Sequence, residues 1–106
     1  MKRYLLVPIL ENGEELMGNF EFNKNEEKEL ARDTIKNYNK RLLQMINPKI
    51  IIGFRVVSKE GKFNWMDEKI YYKVNYYQNG FDIEKCEYKI LKDCIGHSLN
   101  NCRYMA

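Results

Sequence analysis

The chain has 106 residues, 44% hydrophobic and 31% charged, with a formal net charge of +3. These values describe one folded domain (1–106) with an adequate but modest core. They exclude a disordered chain and fall short of the basicity that marks a dedicated nucleic-acid binder.

Met1, Lys2 and Arg3 precede an apolar run, as in a signal peptide, but residues 4–10 contain Pro8, are few and lack a small-residue cleavage site. Their alternation predicts a strand over 3–10 with Leu5, Val7 and Ile9 on one face. Pro8 has no N–H to give, which pushes that strand towards an edge or a bulge. Asn12-Gly13 between two strand-like runs predicts a hairpin. The return strand spans 15–22, with Leu16, Gly18, Phe20 and Phe22 inward and Met17, Asn19 and Glu21 outward.

Residues 25–46 predict one long amphipathic helix. Leu30, Ala31, Thr34, Ile35, Tyr38, Leu42, Met45 and Ile46 sweep an arc of roughly 160° at 3.6 residues per turn, wide enough to lie on a sheet. Asn23 or Asn25 supplies a cap, and Glu26, Glu27 and Glu29 suit the positive end of the helix dipole. Asn47-Pro48 ends it.

Residues 49–57 are apolar on both faces and read as a central strand, with Ile50, Ile52, Phe54 and Val56 beneath the helix. A turn around Gly61 leads to a short strand over 63–66, broken by Asp67-Glu68. A clean alternation over 69–77 puts Ile70, Tyr72, Val74 and Tyr76 on one face and Tyr71, Lys73, Asn75 and Tyr77 on the other. After Asn79-Gly80 a second hairpin strand over 81–90 competes with a helix over 83–95. The poor alternation favours the helix, capped by Asp82, stopped by Gly96 and presenting Ile83, Cys86, Ile90 and Cys94. The expected fold is therefore α+β: an antiparallel sheet of order ββ-α-βββ-α, one long helix across one face and a shorter C-terminal helix.

The first candidate site is the outward stripe Tyr71, Lys73, Asn75 and Tyr77. Tyrosines on a flat sheet give contact area at little entropic cost, which suits a protein partner. Interleaved with a cation they also suit single-stranded nucleic acid, held by stacking and phosphate contact, with Lys62 adding charge. The plain structural alternative is that the stripe is covered by the C-terminal helix.

Cys86, Cys94, His97 and Cys102 are zinc-type ligands, but Cys86 and Cys94 on one helix stand about 12 Å apart along its axis, too far to share an ion. No metal or other cofactor is expected. An odd count of three cysteines argues for a reducing, cytoplasmic setting. One histidine and the lack of a phosphate loop, nucleophile elbow or dinucleotide fingerprint argue against an enzyme.

Acidic residues gather before Asp33 and basic ones from Lys36 to Lys62, an asymmetry that helix dipole preference explains. Residues with A/T-rich codons are common, as in phages and mobile elements. The function expected is a small non-enzymatic module binding another protein, as an inhibitor of a host machine; the alternative is an RNA- or single-stranded-DNA-binding domain on the same face. A second copy pairing along the edge of the 3–22 hairpin is also open.

Overall fold

The computed structural model describes residues 2–16, 21–23, 25–62 and 64–95. Five strands, β1 (Lys2–Leu10), β2 (Glu21–Phe22), β3 (Ile51–Glu60), β4 (Asn64–Tyr77) and β5 (Gly80–Cys86), form one antiparallel sheet in the order β2-β1-β3-β4-β5. Helix α1 (Glu27–Asn39) lies on one face and helix α2 (Tyr88–Cys94) on the other. The class is α+β and the chain order is ββ-α-βββ-α. No helix among the described residues is long and apolar enough to cross a membrane.

β3 is central because it can be buried on both sides. Ile51, Phe54 and Val56 face α1, while Ile52 packs with Ile9, Ile50 and Leu91 of α2. Ile50 and Ile52, expected beneath α1, therefore lie on the opposite side. The cause is a bulge: Leu10 pairs with Ile51 and Ile9 with Gly53, so Ile52 is one residue extra. A single extra residue reverses the alternation upstream of it.

β1 is not an edge, since β2 and β3 flank it. Pro8 is tolerated because its missing N–H points away from β3: its carbonyl accepts from Leu16 N–H on the outer side, where the described residues next to it form an isolated Ile9–Glu15 bridge. The Asn12-Gly13 turn is present, with Gly13 at φ 91° and Asn12 Oδ1 accepting from Glu14 N–H. The return strand is confined to Glu21 and Phe22 among the described residues; Met17, Gly18, Asn19 and Phe20 lie outside them.

Ala31, Thr34 and Ile35 of α1 are buried, with Leu30 and Tyr38 packed beside them, as the spacing predicted. The helix is shorter than 25–46. It begins at Glu27 with no side-chain cap; Asn25 takes a left-handed φ of 79°, and Asn23 contributes only its main-chain carbonyl, to Glu26 N–H. Beyond Asn39 it continues through Lys40 and Arg41 into a 3-10 turn over Leu42–Gln44. Ile46, expected on the buried face, is 92% exposed, and its neighbour Leu43 is 97% exposed. Tyr38 anchors the exit by donating to the Lys49 carbonyl at 2.6 Å.

β4 is one strand rather than two. The expected break at Asp67-Glu68 is a bulge: Val57 pairs with Asp67 and Val56 with Ile70, leaving Glu68 and Lys69 extra. Lys69 has a left-handed φ of 56°, and its N–H donates to Asp67 Oδ1 at 2.8 Å. After the bulge the predicted faces hold, with Tyr72 and Val74 in the α1-side core.

The helix expected over 83–95 is divided. Residues 80–86 pair with β4, Ile83 opposite Val74, and only Tyr88–Cys94 are helical. Pairing satisfies β4's outer edge and seats Ile83 against the α1-side core, which a helix there could not do. In α2 the buried residues are Leu91 and Cys94; Ile90 is 45% exposed. Leu91 is fully buried over Gly53, and Tyr88 packs on Tyr71 at a ring separation of 5.0 Å. Filling that dimple with an aliphatic side chain contributes about 1.5–3 kcal/mol.

Candidate functional site

Among the described residues, the face opposite α1 is covered only in part. α2 sits over the β3 start and the middle of β4, and that decides the fate of the tyrosine stripe. Tyr71 is half-buried beneath Tyr88 and donates to Asp67 Oδ2 at 3.2 Å; burial, then Asp67, push its phenol up. Asn75 is buried, its Nδ2 donating to Glu84 Oε2 at 3.1 Å. Lys73 is half-buried. Tyr77 is 43% exposed, and its phenol is pushed up first by a hydrogen bond to Asp82. The stripe is real as a register, but it offers solvent mainly Tyr77 and part of Lys73.

The part beyond α2 forms a groove of about 300 Å³. Alternation on three neighbouring strands builds it. Leu5 and Val7 of β1 and Val57 of β3 make an apolar floor, and Trp65 and Met66 of β4 stand at the margin, 54% and 50% exposed. Arg55, Glu15 and Asp67 continue it into a second hollow of about 440 Å³ that reaches Tyr71 and Tyr88. Arg55 grips Glu15 with both Nε and Nη2, the latter at 3.1 Å, and that hydrogen bond is the main reason its guanidinium is held above the usual range. A fork-on-carboxylate contact of this kind is geometrically specific, and it closes Arg55 to a second bidentate anion. Lys59 places its ammonium 4.8 Å from the Trp65 ring centroid.

Trp65 and the Leu5, Val7 and Val57 floor were missed as a site. A short strand over 63–66 that ends at Asp67-Glu68 gives no sign that Trp65 shares a face with β1 across β3. The one available signal was the single tryptophan of the chain, set in the short run Phe63-Asn64-Trp65-Met66. The Asp67-Glu68 pair, expected to break the strand, contributes Asp67 to the groove.

The cysteine and histidine group does not assemble within the described residues. Cys86 is free, its thiol pushed up by burial, and Cys94 is buried in the core beneath α2. His97 and Cys102 lie outside the described residues. Among the described residues no three His, Cys, Asp or Glu side chains are grouped as metal ligands.

Comparison with known proteins returns no matching family model, no matching curated protein and no matching solved structure.

Proposed function

We propose that this chain is a small non-enzymatic binding module that acts by stoichiometric contact with another protein, and that the groove beside Trp65 receives the partner. The observation that carries the reading is an indole 54% exposed at the margin of an aliphatic floor in which Leu5 and Val57 are buried and Val7 is half-buried. Aromatic anchors beside desolvated hollows are where interface energy concentrates. Arg55, Glu15 and Asp67 supply the polar orientation such a contact needs. Tyr77 and Lys73 extend the same face beyond α2. Occupying the working surface of a larger machine is an inhibitory mode that requires no chemistry of the module's own, and the A/T-rich residue usage fits a phage or mobile-element origin.

The test uses Trp65→Ala. Circular dichroism and urea unfolding should show a folded variant within about 1 kcal/mol of wild type, as for a half-exposed side chain. Immobilised wild-type protein should retain a partner in a one-to-one ratio that the variant loses by at least about tenfold. Because the chain has a single tryptophan, indole emission reports occupancy directly. A folded variant that holds the same partner equally well refutes the reading.

A nucleic-acid reading is favoured by one observation, the Lys59 ammonium over the Trp65 ring with Arg3 opposite Lys59 in register. Base stacking beside two cations would bind single strands. A salt series separates the two: oligonucleotide binding falls steeply with ionic strength, whereas an aromatic-centred protein contact responds far less.

A further inference from the structure

Where α1 ends, the chain turns two large aliphatic side chains into solvent. Leu43 and Ile46 are almost wholly exposed, well beyond Trp65 and every other large hydrophobic among the described residues. The loop that carries them is held in place. Its neck is closed by Tyr38 Oη donating to the Lys49 carbonyl at 2.6 Å, and the N–H groups of Arg41, Gln44 and Met45 each donate to the main-chain oxygen three residues back. Leu42 packs inward against the α2-side core, and Asn47, at a left-handed φ of 55°, turns the chain back towards β3. With Tyr38 and Leu42 fixed, Leu43 and Ile46 are presented outward.

The charge along this loop is of one sign. From Thr34 to Ile50 the chain carries Lys36, Lys40, Arg41 and Lys49 and no Asp or Glu. Lys36, Lys40 and Arg41 are exposed and Lys49 is half-buried. The dipole of α1 accounts for Lys36 and Lys40 at its C-terminal end, but not for Lys49 or the aliphatic pair. Glu11 and Glu14 act at the neck: Glu11 Oε1 accepts from Ile50 N–H at 3.2 Å, and both carboxylates, after burial, push the Tyr38 phenol up. A protein pocket would have to match the protruding pair in shape, and leucine is scarce among the side chains that anchor protein interfaces. A bilayer interface conforms to any apolar tip and, where its lipids are anionic, attracts the cations as well. We propose that residues 40–49 dock this protein on an anionic phospholipid membrane, Leu43 and Ile46 entering the headgroup–acyl boundary while Lys36, Lys40, Arg41 and Lys49 meet the headgroups. Such docking reaches only about 5–10 Å deep and needs no membrane-crossing helix. The loop leads into the start of β3, whereas Trp65 pairs with Lys59 about 25 Å further along that strand, so the docking does not depend on what the groove binds.

The experiment is co-sedimentation of the whole protein with vesicles of phosphatidylcholine alone and of phosphatidylcholine mixed with phosphatidylserine. Wild type should partition onto the mixed vesicles at least about tenfold better, and added salt should weaken that preference. Leu43→Ser with Ile46→Ser should cut binding to mixed vesicles by at least about tenfold, with net charge and the circular dichroism of the fold unchanged. Lys40→Gln with Arg41→Gln and Lys49→Gln should remove the preference for phosphatidylserine. Trp65→Ala should alter none of this, which separates a failure here from a failure of the groove. If the serine variant does not fold, Leu43→Trp in a Trp65→Phe background decides instead, its indole emission shifting to the blue on mixed vesicles. Mixed vesicles bound no better than phosphatidylcholine, equal binding by the serine variant, or an unshifted indole overturns the proposal. A wild type that ignores both vesicles, yet loses a protein partner on the serine substitutions, also overturns it and assigns the loop to a protein pocket.

Discussion

A Cβ added to Gly53 would lie 2.3 Å from Leu91 Cδ1 and 2.4 Å from the main-chain oxygen of Tyr72. The leucine could turn aside; the strand carbonyl could not without breaking the β3–β4 ladder. Gly53→Ala should therefore destabilise the protein by about 2–3 kcal/mol in urea unfolding, and adding Leu91→Ala should not recover the loss. Tyr72 sets a second expectation. Burial, then the charge of Glu27, push its phenol up to about 12 from an ordinary value of 10.0. The folded state thus favours the protonated phenol. Its contribution is complete below pH 10 and is lost as pH rises through about 12. Tyr72→Phe should show a shallower fall in Tm across that window. Tyr38 and Tyr71 are raised in the same direction, so part of the alkaline decline should persist.

Elements were legible where one periodicity dominated. The Leu30, Ala31, Thr34 and Ile35 spacing placed α1, and the two-sided apolar run around Phe54 placed β3 at the centre. The 69–77 alternation assigned both faces of β4 correctly, because nothing interrupts its register after the bulge. What was not legible depends on partners distant in sequence. The face swap of Ile50 and Ile52 follows from how β3 meets β1, and β5 is extended because β4 offers it an edge. Half of the tyrosine stripe is covered because Leu91 finds a dimple at a glycine that nothing in sequence marks as special. The β4 bulge yields a prediction of its own kind. Removing Glu68 and Lys69 together leaves Asp67 next to Ile70, the register neighbours of Val57 and Val56, so every side chain keeps its face. That double deletion should fold, with native-like near-ultraviolet circular dichroism. Deleting Glu68 alone should turn Trp65 and Asp67 to the α1 side and lose the native signal.

Among the described residues the molecule is a sheet with one helix on each side, edged by the two-residue β2 and the longer β5. The 3–22 hairpin expected to present an edge does so through β2, while β1 is interior. β5 carries exposed Asp82, Glu84 and Lys85. Antiparallel pairing of two β5 strands centred on Ile83 sets Asp82 against Glu84, and centring on Glu84 sets that acid against itself. Like charges opposed across strands are destabilising, and charged edges resist association. Light scattering at two well-separated concentrations should give the mass of one chain, 12.8 kDa; a mass that grows with concentration would contradict this.

Val56 lines a hollow on the α1 side, beside Tyr4, Phe22 and Tyr72, and Val57 the floor of the Trp65 groove, so a single peptide unit is the wall between them. The amide shared by these two valines will respond to an occupant on either side and cannot tell which has arrived. Their methyl groups point in opposite directions. A resonance from Val56 moves only with events on the α1 side and one from Val57 only with events on the other, which makes this neighbouring pair a natural two-channel sensor.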